Sequence, residues 1–236
     1  MDATLLALDT ATDQLALALV WPGGQLTHQE AGGALASARL IPALHDLLGR
    51  ARWPMARLNG IAFGAGPGAF TGLRTACAVA QGLAFGLGLQ VLALDSLMLV
   101  AEDAHPEPDD SGLVWVAMDA RMDEIYAAAY QRRPDGGWAV HTAPALYGWQ
   151  TLAARWTAAP PSRVAGTALQ VFAGRLPVAA AHCSVHEHDR AAALGRLTRQ
   201  AWTGRNGIDP ADALPIYLRD KVAHTSAERA LAKAAQ

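Results

Sequence analysis

Two aspartates close short apolar runs in this chain. Leu5-Leu6-Ala7-Leu8 leads into Asp9, and Val114-Trp115-Val116-Ala117-Met118 leads into Asp119. A carboxylate at a strand end can link a metal ion to phosphates, provided nearby glycines let bare backbone approach the phosphate oxygens. The tips here read Asp9-Thr10-Ala11-Thr12-Asp13 and Asp119-Ala120-Arg121-Met122-Asp123, with no glycine in either. Side chains fill the space a phosphate needs, which favours carboxylates that cap turns over catalytic ones.

Gly64-Ala65-Gly66-Pro67-Gly68 is the second candidate. A Walker loop needs Lys followed by Ser or Thr, but the first lysine is Lys221. A dinucleotide fingerprint nearly fits through Gly64, Gly66 and Ala69. Its ribose-binding acid is missing, because Asp46 is the only acid between Glu30 and Asp95 and it precedes the loop. Pro67 also removes an amide that would face a pyrophosphate. Gly66, Gly68 and Thr71 remain as a loop that could hold an anion weakly at a helix start.

His182, Cys183, His186 and His188 have metal-ligand types at close spacing. No helix or strand period surrounds them, so a solvated surface loop is the expectation. Cys77 falls in mid-helix among apolar neighbours, where thiols are usually inert. No nucleophile and base are paired by the sequence.

The elements that position these residues follow from periodicity. Leu15, Leu17 and Leu19 alternate with alanines, a strand apolar on both faces. Pro22-Gly23-Gly24 turns into a polar edge strand over 25–30. Leu40, Ile41, Leu44, Leu47 and Leu48 form a helical stripe. Pro42 lies inside it, so the helix either starts near Leu40 or is kinked. Ile61-Ala62-Phe63 is a buried strand before the glycine loop. The helix over 70–87 has Arg74 as its only charge and small residues on every side, and is expected to be buried all round. Its surroundings are either its own core alone, or its own sheet plus another chain. A strand over 91–94 and a helix from Ser96 follow.

The proline-broken acidic stretch His105-Pro106-Glu107-Pro108-Asp109-Asp110 is the expected boundary between lobes 1–105 and 111–214. After it the opening repeats. Asp119, Asp123 and Ile125 match Asp9, Asp13 and Leu15 at a constant offset of 110 residues. Two halves that each begin with a three-strand meander suggest a duplicated α/β unit, with two similar hairpins arising by chance as the alternative. Helices near 149–156, 191–202 and 227–233 and a strand near Val164 complete the reading.

Composition bounds the function. The 236 residues carry 19 Lys and Arg against 21 Asp and Glu, a net charge of −2. That is no basis for gripping RNA alone. A hydrophobic content of 52% with 17% charged residues suits a packed core. Two cysteines fit a reducing compartment. Asp2 and a first cation at Arg39 argue against a secretory leader, so a cytoplasmic protein is expected. Over 75–101 the only charge is Asp95, but Gly82, Gly86 and Gly88 break the run, and no membrane span is expected.

Four motifs together resemble the TsaB family, the dimerisation subunits of the bacterial tRNA threonylcarbamoyladenosine machinery. They are Leu8-Asp9-Thr10-Ala11-Thr12, Gly66-Pro67-Gly68-Ala69-Phe70-Thr71-Gly72-Leu73-Arg74, Asp119-Ala120-Arg121-Met122-Asp123-Glu124-Ile125-Tyr126 and Pro215-Ile216-Tyr217-Leu218-Arg219. The resemblance implies a duplicated actin-like, Hsp70-like (ribonuclease H-like) α/β fold of two lobes, with a C-terminal helix over about 215–236 joining the first. It implies a catalytically silent relative of TsaD that binds TsaD through helices matching 36–50 and 70–87, with the ATPase TsaE joining. It also implies possible self-pairing through that surface, no cofactor or metal, and only indirect contact with tRNA. The interface residues expected on this basis are Leu40, Leu44, Leu48, Phe70, Leu73, Arg74, Cys77, Ala80, Gln81 and Ala84. TsaD carries a metal-binding His-x3-His after the strand that follows the glycine-loop helix. The corresponding stretch here, Asp95-Ser96-Leu97-Met98-Leu99-Val100, has no histidine. The family's usual glycine-loop Ser is Ala69. The alternatives are an active ATP-dependent transferase or metallopeptidase of the same fold, and a dinucleotide oxidoreductase.

Overall fold

A computed structural model describes residues 2–105, 112–185, 187–204 and 206–219. The first half forms a five-stranded sheet in the order β3-β2-β1-β4-β5. Its strands are β1 (Leu5–Asp9), β2 (Gln14–Trp21), β3 (Gly24–Ala31), β4 (Gly60–Gly66) and β5 (Gln90–Asp95). Helices α1 (Ala36–Ala51) and α2 (Phe70–Leu87) precede and follow β4, and α3 (Ser96–Ala104) follows β5. The second half repeats the plan with β6 (Leu113–Arg121), β7 (Glu124–Arg132), β8 (Trp138–Gly148), α4 (Trp149–Ala158), β9 (Arg163–Ala165), α5 (Ala168–Val171) and β10 (His182–Ser184). Its sheet runs β10-β9-β6-β7-β8. In each sheet an antiparallel meander joins two parallel strands beside its first strand. The 110-residue repeat is therefore a duplicated topology.

The apolar alternation in β2 sorts into two cores. Leu15, Leu17 and Leu19 face α1 and α2, while Ala16, Ala18 and Val20 face the other way. The second core is shared. It joins strands of the first sheet to α3, to Val114, Val116, Ala128, Tyr130 and Trp138 of the second, and to α6 (Arg190–Thr203). A third core lies on the far side of the second sheet, around Trp156, Phe172 and Leu152. On β3, the polar edge strand, Arg39, Arg50 and Arg199 donate to the carbonyls of Ala31, Thr27 and Gly24. Side chains occupying edge carbonyls discourage pairing with another chain.

Four sequence expectations change. The helix carrying Pro42 does not start at Leu40; α1 runs from Ala36 to Ala51 with Pro42 inside it. Pro42 is exposed, so the carbonyl it leaves without an amide can be solvated. Helix α2 is not buried all round. Leu73, Ala76, Cys77, Ala80 and Ala84 face the core, while Phe70, Arg74, Ala78, Gly82 and Phe85 face outward. Helix α6, placed by its position in the second lobe, packs on β1, β2, β3 and β5 of the first sheet and on α3. Residues 215–219, expected to begin a helix, form a non-helical segment along β4 and α2. The expected helix over 227–233 and residues 106–111 of the boundary lie outside the described residues.

Candidate functional site

Asp9 sits at the carboxyl end of β1, fully buried. Two of its partners come from distant parts of the chain and one from its own hairpin tip. Arg190, also fully buried, donates its Nε–H to Asp9 Oδ1 at 3.0 Å. Ser96 Oγ donates to Oδ2 at 3.3 Å, and the Ala11 amide donates to Oδ1 at 3.2 Å. The second Arg190 arm reaches Glu187 Oε1 at 3.0 Å. Burial alone would lower the affinity of Arg190 for its proton, but Asp9 and Glu187 outweigh it and hold the guanidinium charged. Glu187 is pushed above the ordinary carboxylate range, chiefly by burial, with Arg190 opposing and Asp9 and Asp103 adding. Asp103 accepts from the amides of His188 and Asp189 at 2.8 and 2.7 Å, which fixes the entry to α6.

The glycine loop closes on this cluster. A Cβ on Gly64 would lie 1.6 Å from Asp9 Oδ2. Gly68 and Gly72 meet the tip of the first hairpin, where a Cβ would come within 2.5 Å of the Ala11 carbonyl oxygen and 1.8 Å of that of Thr10. The Ala69 amide donates to the Ala11 carbonyl at 2.8 Å, and Thr10 Oγ1 donates to the Gly72 carbonyl at 2.7 Å. Ser96 Oγ takes the Gly66 amide at 3.1 Å. The glycines expected to form a weak anion loop thus admit the chain's own backbone. Thr71 is exposed and its carbonyl accepts from Thr75.

The second hairpin differs. Asp119 accepts from the Arg121 amide at 2.9 Å, as a turn-capping carboxylate does. Arg121, Met122 and Asp123 all take positive φ, at 64°, 57° and 57°. Left-handed backbone is unfavourable for residues with a Cβ. Arg219 holds this tip, donating to the carbonyls of Ala120 and Arg121 and pairing with Glu124.

Arg219 ends a strap, 208–219, that crosses α2. Ile208 bridges Val91. The carbonyls of Pro210 and Ala213 accept from Gln81 Nε2 at 2.9 and 3.0 Å, and Cys77 Sγ contacts the same Ala213 oxygen. Ile216 donates its amide to Ala65 at 2.7 Å. Tyr217 stacks on Phe70 at 5.2 Å, with the Arg74 guanidinium 3.8 Å from the Phe70 ring. Arg74 Nε also donates to Tyr217 Oη at 3.0 Å.

The expected interface residues fall into two groups by burial. Leu40, Leu44, Leu48, Leu73, Cys77, Ala80 and Ala84 are buried in the chain's own core, because they are the residues that seat α1 and α2 on the sheet. Gln81 is half-buried and bound to the strap. Phe70 and Arg74 are exposed. Burial also raises the Cys77 thiol above its usual range, in keeping with an inert position.

His182 and Cys183 lie on the exposed edge strand β10 rather than in a loop, and His188 pairs with Ser184 at 3.1 Å. His186 is outside the described residues. Among the described residues, no three His, Cys, Asp or Glu side chains could share a metal. Behind Glu187 and Asp103 lies a cavity of about 10 Å³, lined also by Val100, Met118 and Gly166, scarcely enough for one water. Sequence reading missed Arg190, Glu187, Ser96 and the clamp made by Arg219. A signal existed for Arg190, because it shares the apolar face of α6 with Ala193, Leu194 and Leu197.

The fold and site define a duplicated two-lobe α/β protein whose β1 carboxylate is neutralised from within. The family model for tRNA N6-adenosine threonylcarbamoyltransferase, TsaD, matches residues 27–136. YeaZ from Pseudomonas aeruginosa is 38% identical with a TM-score of 0.80, covering 92% of this chain and 100% of that one. A second P. aeruginosa structure, described as an uncharacterized protein with similarity to peptidase YeaZ, is 39% identical with a TM-score of 0.81 and the same coverage. The tRNA threonylcarbamoyladenosine biosynthesis protein TsaB of Escherichia coli is 37% identical over 134 residues, 57% of this chain and 58% of its own. This chain spans about half the length of the curated TsaB relatives it matches. It belongs to the TsaB family, also known as YeaZ, and its fold is the duplicated actin-like type. Among the described residues, no helix is long and apolar enough to cross a membrane.

Proposed function

We propose that this chain is a non-catalytic subunit of tRNA threonylcarbamoyladenosine biosynthesis that binds and stabilises TsaD, with TsaE as a further partner and tRNA touched only through the complex. The Asp9–Arg190 pair carries the reading. A catalytic relative would need the β1 carboxylate free for a metal or phosphate, whereas here a buried guanidinium occupies it and the glycine loop is closed on the hairpin. The position of TsaD's histidines is taken by Asp95, which caps α3, and by Ser96, which joins Asp9 to the loop.

The surface this leaves for a partner is the outward side of α1 and α2. It carries Ile41, Phe70 and Phe85, the last 60% exposed, with Arg74, Ala78 and Gly82 between them, and Tyr217 of the strap alongside. Exposed apolar groups along one face fit a protein interface, of the usual ~1,600 Å² in total. Two copies of the chain could pair through the same face. The setting inferred is the cytoplasm, where Cys77 and Cys183 remain thiols.

The test is co-purification with TsaD. Ala78→Arg and Phe85→Glu should abolish it while leaving circular dichroism and thermal midpoint unchanged. An undiminished complex would remove this interface. The match to the TsaD model favours a second reading, an active transferase or metallopeptidase of the same fold. Calorimetry of the purified chain with ATP and magnesium separates the two, since tight binding would revive it.

A further inference from the structure

The chain has two asparagines, and both precede glycine, as Asn59-Gly60 and Asn206-Gly207. The pair has an intrinsic chemistry. The glycine amide nitrogen can attack the asparagine Cγ, forming an N–C bond and closing a cyclic imide. The Cγ–Nδ2 bond breaks, and ammonia leaves with the proton from the glycine amide. Water then adds to either imide carbonyl and opens the ring to aspartate or isoaspartate. Glycine as the second residue allows the ring to close, because without a Cβ its backbone reaches the required dihedrals.

The fold treats the two pairs differently. Asn59 Oδ1 accepts from the Thr4 amide at 2.8 Å, and its own amide donates to the Thr4 carbonyl at 2.8 Å. Gly60 is buried, begins β4 and pairs with Leu5 and Gln90 on either side. Trp202 packs against it so closely that a Cβ there would lie 2.6 Å from the indole. Ring closure at Asn59 would have to break that ladder.

Asn206 is exposed, and its side-chain amide makes no hydrogen bond among the described residues. It lies between Gly204, which caps α6, and Ile208, whose amide and carbonyl both pair with Val91 at 2.9 and 3.0 Å. The Asn206 backbone amide donates to the Ala201 carbonyl at 3.2 Å, and a Cβ on Gly207 would lie 2.5 Å from Gln90 Oε1, the far end of a flexible side chain, but the reacting atoms sit in a short connection outside any ladder, where local opening costs less than in a strand. We infer that Asn206 is a site of intramolecular deamidation in the folded protein and that the fold protects Asn59. The product is placed with consequence. Isoaspartate adds a backbone carbon at the root of the strap, and its carboxylate stands near the C-terminal end of α6, where the helix dipole disfavours negative charge.

The test is peptide mapping by mass spectrometry on the full-length chain held at mildly alkaline pH, folded and in urea, with isoaspartate detected by enzymatic methyl transfer. In the folded chain, Asn206 should convert at least about tenfold faster than Asn59. In urea the two should convert at comparable rates, and Asn206→Ser should remove the folded-state product. Equal conversion of both sites in the folded chain, or none at Asn206, overturns the inference. So does a preference for Asn206 that persists in urea, since it would owe nothing to the fold.

Discussion

Arg190 donates to Asp9 across 181 residues of sequence, and both side chains are fully buried. The pair ties the start of α6 to the end of β1. Removing one partner leaves the other charge buried and unpaired. Arg190→Met should therefore destabilise the chain by about 3–5 kcal/mol in urea unfolding. The double variant Arg190→Met with Asp9→Asn should recover part of that loss. A double variant no more stable than the single one would show that Arg190 acts through packing rather than charge.

The glycines of α2 divide sharply. Gly72 meets the Thr10 carbonyl oxygen at 1.8 Å from an added Cβ, and that atom is backbone. Gly72→Ala should destabilise by about 3 kcal/mol or more. Gly82 and Gly86 face open space. Gly82→Ala and Gly86→Ala should stabilise by about 0.5–1 kcal/mol each through helix propensity. Thermal midpoints moving in opposite directions would confirm the contrast.

Asp95 caps α3 through the amides of Leu97 and Met98 and accepts from Tyr130 Oη of the second sheet at 2.6 Å. Burial raises its carboxyl above the ordinary range, against the opposing hydrogen bond from Tyr130, and Tyr130 is itself pushed up by burial and then by Asp95. A carboxyl whose folded value is raised contributes stability below its unfolded value and loses it as pH rises through the folded one. Asp95→Asn keeps a capping oxygen and cannot ionise. Its stability relative to wild type should rise as the pH climbs above the ordinary carboxylate range, by about 1.4 kcal/mol for each unit of the shift removed. A difference that stays flat as the pH rises would exclude Asp95 as the source.

Leu73→Arg and Ala80→Arg put charge into the core of the first lobe, since both residues are buried under α2. They should lower the folded fraction outright, by several kcal/mol. Ala78→Arg on the opposite side should leave stability within about 0.5 kcal/mol. Urea midpoints of the three variants check which side of α2 is free for a partner.

Much of the fold was legible. The alternation in β2 and the apolar run of β4 marked strands, and α2 occupies the expected 70–87. The repeat of Asp9 in Asp119 pointed to duplicated sheets, which the common strand order bears out. The glycine loop was legible as a close approach but not for what approaches. Gly68 and Gly72 make way for the carbonyls of Ala11 and Thr10, and a glycine looks the same in sequence whether a phosphate or a peptide comes near it.

The sequence by itself determined the order of strands and helices in the first half, the doubling of the unit and the family. Those depend on local periodicity and on motifs whose residues are neighbours along the chain. Tertiary structure alone decided that Arg190 meets Asp9, that α6 returns to the first sheet and that one side of α2 stays open. Helix α2 is apolar nearly all round, so its pattern does not choose a side to bury. The choice falls to the shape of the sheet and hairpin it must fit.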